Sequence, residues 1–365
     1  MKAKTKENLK SGFKSLISNN AVMDSAKNNP WWIATIIALV SAFVPVIPIV
    51  VSAANGYGAS FLASYTENIE TSLTQTCMTL KSQNKEFIVE NKELNYYIDD
   101  VKQYNLTSQA NTLIYSYEAT REGVTQIDFQ LFYTTASTSS NEDVNVSTII
   151  ADYIEDDSMT YAVGTTQRKS DIAEAEQENY TYYIPSYIVL SKGGLYSALK
   201  RPDSTVNYNY TAFTGNWNHT EEGTKLINDS LIVYDENNVA LTADINNTEY
   251  VSGVLDNWKA FFNESYLTQK DFNIKFSTLI YFGIYIVMIF FMGLMMFLLT
   301  RGKKNIFNYL KFGMCLKMSS WSSMTPALLS LIIGFIFPTY AMMLFIIFIG
   351  IRVMWMSMKQ LRPQY

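Results

Sequence analysis

Long apolar runs alternate along this chain with one long polar segment. Residues 31–53 and 276–300 contain no charged side chain, and each is long enough as a helix to cross a hydrocarbon core of about 30 Å. Residues 318–358 contain a single charge, Arg352, but one straight helix of that length would reach about 60 Å. This run must fold back, and Pro338 is the predicted turn because proline cannot continue a helix. The pattern predicts four transmembrane helices, at residues 31–53, 276–300, 318–337 and 339–358.

The first apolar run has a second interpretation. The sequence VSA before Ala54 has the small residues of a signal-peptide cleavage site, and lysines precede the run. The run is nevertheless longer than the roughly 7 to 15 apolar residues of such signals. Trp31 and Trp32 at its start are typical of a membrane interface. We therefore expect this run to be retained as a transmembrane helix.

Between the first two runs the apolar period changes from helical to strand-like. A helix is predicted over residues 59–81, where apolar residues recur three or four positions apart, and a strand over residues 125–134, where they alternate. Hairpins are predicted at residues 86–99, 187–199 and 231–243, and loops at residues 137–143 and 174–178. The pattern indicates an α+β domain with an antiparallel sheet.

Charge divides the chain into the same segments. Residues 1–53 hold six Lys and two acids, residues 54–275 hold 31 acids and 14 bases, and residues 276–365 hold eight Lys or Arg and no acid. The segments therefore have net charges of +4, −17 and +8, which together give the net charge of −5. An acidic central domain lies between two basic, apolar ends.

Cations collect on the cytoplasmic side of a membrane, so the basic clusters fix the expected orientation. With four spans, the clusters before the first span, between the second and third, and after the fourth all lie on one side. The expected fold is a helical membrane protein with four transmembrane helices and an extracytoplasmic α+β domain, both termini being cytoplasmic. The segments are a cytoplasmic tail at 1–30, the outer domain at 54–275, a cytoplasmic loop at 301–317 and a cytoplasmic tail at 359–365, separated by the four spans.

Some of these cations are candidate contacts for membrane lipids. Residues 306–316 have apolar positions at helical spacing, so they can lie in the interface with lysines at anionic headgroups. The alternative is that the cations only set topology. The membrane-surface candidates are Lys10, Lys14, Arg301, Lys303, Lys304, Lys311 and Lys317.

The third predicted span has a stripe of small residues. Ser322, Pro326, Ser330 and Gly334 recur every four positions, and small residues let helices approach closely. We expect this stripe to pack against other spans of the chain, with oligomerisation as the alternative. Arg352 is expected to extend toward the inner interface; a place in a transport path is its alternative.

The chain has few residues that support enzyme chemistry. His219 is the only histidine and lies in a loop-like context, neither Cys77 nor Cys315 has a partner at zinc-ligand spacing, and no phosphate loop is present. Acidic turns such as residues 155–157 lack the order of a calcium loop. No catalytic residue, metal, cofactor or nucleic acid partner is therefore expected.

The C-terminal third resembles a family of Gram-positive membrane proteins of unknown function, often labelled maltodextrin utilisation proteins. The similar residues are NIFNYLKFGMCLK at 305–317, SSMTPALLSLIIGFIFP at 322–338 and MKQLRP at 358–363; the hairpin IVLSKGGLYSA at 188–198 also resembles a strand pair of that family. The resemblance implies one outer span, an extracytoplasmic segment and a cluster of C-terminal spans in a cell membrane. It implies an association with sugar uptake but no activity and no catalytic residues.

The expected function is that of a non-enzymatic accessory or sensor protein of the bacterial cell envelope. Its outer domain would recognise a membrane protein partner or a neutral ligand such as a glycan, since the charge of residues 54–275 disfavours anionic polymers. A small transporter subunit and an envelope enzyme are the alternatives.

Overall fold

The computed structural model describes residues 13–63, 69–103, 112–121, 123–135, 159–200, 210–301, 305–359 and 361. The chain divides into two compact units. The helical unit comprises Met1–Asn55 and Asp271–Tyr365, and the sheet unit comprises Gly56–Lys270.

Helices and strands are numbered here in chain order. The helices are α1 (Asn19–Asn28), α2 (Trp31–Phe43), α3 (Ile47–Ala54), α4 (Ser60–Ala63), α5 (Ile69–Ser82), α6 (Leu226–Ser230), α7 (Thr248–Leu299), α8 (Phe312–Ser322), α9 (Met324–Ile336) and α10 (Ala341–Lys359). The strands are β1 (Lys85–Glu90), β2 (Glu93–Ile98), β3 (Val101–Lys102), β4 (Thr112–Arg121), β5 (Val124–Thr134), β6 (Tyr161–Ala162), β7 (Tyr182–Tyr183), β8 (Ser186–Ser191), β9 (Gly194–Lys200) and β10 (Tyr210–Asn216). Short 3-10 turns occupy Val44–Val46, Lys169–Asp171, Glu174–Asn179 and Pro338–Tyr340.

Three helical stretches in the described residues are long and apolar enough to cross a membrane. They are Trp31–Ala54, the apolar part of Thr248–Leu299, and Phe312–Ile336. The first is interrupted by the 3-10 turn at Val44–Val46, where Pro45 lacks the N–H that an α-helix needs. Helix α10 is also apolar, with Arg352 inside it, and the 3-10 turn at Pro338 separates it from α9 as the sequence predicted.

The helical unit is apolar inside and outside. Tyr285 on α7 packs its ring 4.7 Å from the ring of Phe345 on α10; around them Ile289, Trp321 and Ile349 are buried. Many large apolar side chains point outward instead; among the most exposed are Leu279, Val287, Ile332 and Ile336. An outward apolar surface of this extent is typical of helices in lipid.

The four small residues of the predicted stripe are all buried. Ser322 lies on α8, and Pro326, Ser330 and Gly334 lie on α9. Helix α9 packs against α10 on one side and against α2, α3 and the turn between them on another. The stripe therefore lies within helix contacts of the chain itself.

The helix of the third predicted span begins before that span. It starts at Phe312, six residues before residue 318, and residues 306–309 form a turn, so only residues 312–316 of the segment 306–316 are helical. Helix α8 starts early because it packs against α1 and α2, so its first turn has tertiary partners that the sequence pattern does not show.

The second apolar run is the end of a much longer helix. Helix α7 has 52 residues and begins at Thr248, not at residue 276. Tyr250, Val254, Trp258 and Phe262 recur every four positions and are buried in the core of the sheet unit. This stripe stabilises a helix in a segment for which the sequence analysis made no helix prediction.

The main sheet has five strands in the order β10-β9-β8-β5-β4. The prediction of an antiparallel sheet is wrong at one pair: β5 and β8 run parallel, whereas their other neighbours are antiparallel. The long connection between residues 134 and 186 permits this arrangement, because parallel neighbours need a crossover. Strands β1, β2 and β3 form a second, antiparallel sheet, and β6 pairs with β7.

The predicted strand at residues 125–134 and two of the three hairpins are present. Strand β5 contains the predicted strand. Strands β1 and β2 form the hairpin around Asn91, and β8 and β9 form the hairpin whose turn comes just before Gly194. Of the third hairpin only the turn and one isolated antiparallel bridge, between Tyr234 and Ala240, are present. Residues 236–240 are exposed, so the returning arm has no face to bury and does not extend into a strand. The predicted loop at 174–178 is a 3-10 turn, and the predicted loop at 137–143 lies outside the described residues.

The predicted helix at 59–81 is found as α4 and α5, with residues 64–68 outside the described part. Leu62, Leu73 and Leu80 from its predicted apolar face are buried in the main core. That core also contains Phe87 and Phe129 from the two sheets and the buried stripe of α7.

Helix α7 offers a matched pair of glycines that tests its packing. A Cβ on Gly253 would lie 2.2 Å from Cγ1 of the buried, β-branched Val233, whereas a Cβ on Gly283 would meet nothing within 4 Å. We expect Gly253→Ala to destabilise the sheet unit by about 1–3 kcal/mol through overpacking. Gly283→Ala should be neutral or stabilising by up to about 1 kcal/mol, because alanine favours helix.

Thermal unfolding of the detergent-solubilised full chain measures this difference. We expect Gly253→Ala to lower the melting temperature and Gly283→Ala to leave it unchanged or raise it. Equal melting temperatures for the two variants would contradict the close contact between α7 and Val233.

Candidate membrane-surface site

The predicted membrane-surface cations lie in different surroundings. Lys14 and Lys311 are exposed, Lys317 is half-buried, and Arg301 is exposed at the end of α7. Lys10, Lys303 and Lys304 lie outside the described residues. The structure brings Lys311 and Lys317 together with Lys27 around one cavity.

This cavity, named here the lysine cavity, has a volume of about 680 Å³ and lies within the helical unit. Its wall combines cationic and apolar side chains. The lining residues are Met23, Asp24, Lys27, Trp31, Tyr309, Leu310, Lys311, Gly313, Met314, Lys317 and Met318. Three lysines and one aspartate give the wall a net positive charge, while its methionines and aromatic rings provide apolar contact area.

The ends of three helices build the cavity. Helix α1 ends at Asn28 and contributes Lys27 from its last turn, α2 begins at Trp31, and α8 begins at Phe312 after Lys311. Helix α8 packs against both α1 and α2. The positive ends of the α2 and α8 dipoles are therefore near the cavity, where they favour an anion. The negative end of α1 is also there, but Lys27 and Lys317 offset it.

Lys317 also stabilises the wall of the cavity through a hydrogen bond. The Nζ of Lys317 donates a hydrogen bond to the backbone carbonyl of Asn29, just after the end of α1. Asn29 is itself fixed, because its Nδ2 donates to the carbonyl oxygen of Ser25 at 3.0 Å. A cation at the carboxyl end of a helix is electrostatically favourable, so this contact stabilises the approach of α1 to α8.

Arg301 shapes the chain that leads into α8. Its guanidinium donates to the carbonyl of Leu310 and lies 4.1 Å from the ring centroid of Phe297. The Nδ2 of Asn305 donates to the carbonyl oxygen of Leu361 at 3.0 Å. These contacts fold residues 305–310 into a compact turn, so Arg301 acts here through protein contacts.

Arg352 is held within the helical unit by oxygen atoms of the protein, contacts that the sequence analysis did not predict. Its guanidinium donates to the carbonyl oxygen of Ser322 at 3.0 Å, to the hydroxyl of Thr325, and to the carbonyl of Ser15. Its Nε lies 3.5 Å from Oδ1 of Asn19. The hydroxyl of Thr325 in turn donates to the carbonyl of Leu16. Arg352 thereby connects α10, the junction of α8 with α9, and the segment before α1.

The sheet unit offers little chemistry at the positions where enzyme residues were sought. His219 is exposed in a turn, and the described residues contain no group of three or more His, Cys, Asp or Glu side chains that could hold a metal ion. Glu86 is buried between backbone N–H groups: its carboxylate accepts from Phe87, Ile227 and Asn228 at 2.8 to 3.0 Å. Burial raises the pKa of Glu86, although these hydrogen bonds oppose the change.

Cys77 is a core residue of the sheet unit. Its sulfur accepts from Nε1 of Trp258 at 3.3 Å and from Oγ of Ser230 at 3.4 Å, and its side chain is fully buried. Burial raises the pKa of the thiol to about 11, because the thiolate would lose its hydration. Cys77 and Cys315 are both free. These surroundings indicate a structural and unreactive thiol.

Comparison of this chain with protein-family models, with curated proteins and with solved structures finds no match. The fold therefore has to define the class by itself. A unit of long apolar helices joined to a separately cored sheet unit is typical of a membrane protein with a water-exposed domain.

The reactivity of Cys77 follows from its burial. At pH 8 a thiol with a pKa near 11 is about 0.1% thiolate, and the core also excludes the reagent. We expect a maleimide to leave Cys77 unmodified in the folded protein and to modify it in guanidinium. A cysteine introduced as Glu178→Cys, at an exposed site of the same unit, is the control and should react in the folded state. Rapid modification of Cys77 in the folded chain, seen by peptide mass spectrometry, would rule out this buried environment.

Proposed function

We propose that the protein is a non-enzymatic accessory or sensor protein of the bacterial cell envelope. In this proposal four helices cross the membrane, the sheet unit lies outside the cell, and both termini are cytoplasmic. The fourth helix is α10, which has 19 residues and two cations. Lys359 is its last residue, and the charge of Arg352, inside the helix, is met by oxygen atoms of the protein. The distribution of lysine and arginine supports the orientation, because the basic segments flank the spans on one side.

The observation that carries this proposal is the exposed apolar turn of the sheet unit. Ile232 and Tyr234 are 47% and 55% exposed, and they alternate with Leu231 and Val233, which are buried in the core. Val239, on the other arm of the turn, is 59% exposed. An apolar and aromatic surface anchored by buried neighbours is typical of a site that contacts another protein.

The turn is held in shape by the Asp235 side chain. Its carboxylate accepts the backbone N–H of Asn237 at 2.9 Å and that of Val239 at 2.7 Å. The backbone N–H of Asp235 donates to the carbonyl oxygen of Val239 at 2.9 Å. A preorganised turn loses less conformational entropy on binding, which favours recognition.

The charge of the sheet unit and the resemblance of the C-terminal third both limit the classes of partner that we propose. Residues 54–275 have a net charge of −17, which repels anionic polymers and favours a protein or a neutral glycan. The resemblance of the C-terminal third to maltodextrin utilisation proteins supports an association with a sugar-uptake system in a Gram-positive membrane. The transporter alternative receives no support from Arg352, because its guanidinium is engaged by protein oxygens at several positions.

Site-specific photocrosslinking tests the proposed recognition surface. A photoreactive phenylalanine analogue at Tyr234 or Val239 should form a crosslink to a membrane protein in native membranes, whereas the same residue at exposed Glu178 should not. Adding soluble maltodextrin distinguishes the two ligand classes, since a glycan-binding turn would lose its crosslink. Equal crosslinking at all three positions, or none at Tyr234 and Val239, would contradict recognition by this turn.

A further inference from the structure

The lysine cavity has the charge of an anion site but also an apolar wall. Lys27 and Lys311 are exposed at its rim, and Lys317 lies deeper with its Nζ bound to the carbonyl of Asn29. Asp24, on the same helix as Lys27, is a carboxylate in the same wall. The remaining side chains are apolar or aromatic, including Trp31, Leu310, Met314 and Met318. A small soluble anion would use the lysines but would leave the apolar wall in contact with water.

Backbone groups at the cavity add to its preference for an anion. The residues that precede α2 and α8, Pro30 and Lys311, make no side-chain cap hydrogen bond. Gly313, in the first turn of α8, lines the cavity, and a Cβ built on it would meet nothing within 4 Å. The first turn of a helix has N–H groups without helical acceptors, and here that turn faces open space inside the cavity.

The position of the cavity indicates which anion it meets. It is lined by the first residues of two candidate membrane spans, Trp31–Ala54 and Phe312–Ile336. Span ends lie at the level of the lipid headgroups, where tryptophan, tyrosine and lysine are favoured. The ligand most abundant at that depth has a charged headgroup and an acyl chain, which matches a wall that is cationic and apolar.

We infer that the lysine cavity binds one anionic phospholipid, with its phosphate at Lys27, Lys311 and the first turn of α8, and its upper acyl chain against Trp31 and the methionines. This inference rests on the proposed membrane insertion. It goes beyond a general attraction of cations to the membrane surface, because it assigns one lipid to one cavity. A bound headgroup would join α1 to α8 and so stabilise the cytoplasmic end of the helical unit.

Native mass spectrometry of the full chain in neutral detergent tests the assignment. The chain is titrated with phosphatidylglycerol and with phosphatidylcholine that have the same acyl chains. We expect one phosphatidylglycerol adduct at roughly 25-fold lower lipid concentration than phosphatidylcholine, about fivefold for each of Lys27 and Lys311. Lys27→Gln and Lys311→Gln should each weaken phosphatidylglycerol binding about fivefold, and together about 25-fold, without changing phosphatidylcholine binding. Lys14→Gln is the control, because Lys14 is exposed and lies outside the cavity.

A second pair of variants tests whether the lipid occupies the open volume of the lysine cavity, without changing any charge. Gly313→Leu places a side chain in the cavity and should reduce adducts of both lipids, whereas Gly283→Leu places one where a Cβ meets nothing within 4 Å on α7 and should not. Leucine favours helix more than glycine, so neither variant should unfold its helix. Melting temperatures check this, and the lysine variants decide the outcome if Gly313→Leu unfolds.

Several results would overturn the inference. Equal affinity for the two lipids, or phosphatidylglycerol binding unchanged in the double lysine variant, would show that the cavity does not select an anionic headgroup. Displacement of the lipid by millimolar glycerol phosphate would assign the site to a soluble phosphate instead. Carbonate extraction of native membranes separates this failure from that of the proposed function: release of the unaltered protein would contradict membrane insertion, whatever the lipid result.

Discussion

A cation that is buried in an apolar helical unit needs hydrogen bonds to oxygen atoms, and this requirement fixes how several segments of the helical unit pack. The acidic residues of the helical unit are Glu7, Asp24 and Asp271, so carboxylates are scarce. Arg352 and Lys317 use backbone carbonyls instead. Because burying an uncompensated charge is costly, these contacts determine where the segment before α1 and the end of α1 lie. The contact of Lys317 with Asn29 lies at the lysine cavity, so the proposed lipid site depends on it.

The sheet unit follows a different principle, since it buries a conventional apolar core. Helix α7 contributes Tyr250, Val254, Trp258 and Phe262 to that core, and its later residues are apolar all round. The two parts of this helix therefore have different sequence patterns for different surroundings. Two buried polar groups of the sheet unit have well-placed partners: the Glu86 carboxylate accepts from three backbone N–H groups, and Tyr250 donates to the carbonyl oxygen of Leu231 at 3.0 Å.

Local patterns predicted the local structure well. The hairpins at Asn91 and Gly194 follow from turn residues between alternating strands, and the break at Pro338 follows from its missing N–H. The parallel pair of β5 and β8 was not predictable in this way, because it depends on a crossover of about 50 residues. The four-residue stripe of α7 was present in the sequence and could have been found by testing the helical period before residue 276.

The candidate site was predicted only in part. Positive charge near the membrane identified Lys311 and Lys317, but their meeting with Lys27 depends on the packing of α8 against α1, which no local pattern shows. The binding of Arg352 to carbonyl oxygens was likewise not predicted, since its partners lie on segments far from it in the chain. Every residue has a backbone carbonyl, so the sequence does not show which carbonyl accepts a hydrogen bond from a buried cation. Contacts of this kind can be identified only from the structure.

The central claim is the topology, and single cysteines test it most directly. Cysteine is introduced as Lys14→Cys, Glu178→Cys or Lys359→Cys in a chain that lacks Cys77 and Cys315, all three positions being exposed. In intact cells an impermeant maleimide should modify the cysteine at 178 and leave those at 14 and 359 unmodified until the membrane is permeabilised. Modification at 359 in intact cells would mean that the helices after residue 271 cross the membrane an even number of times, and it would contradict the four-span account.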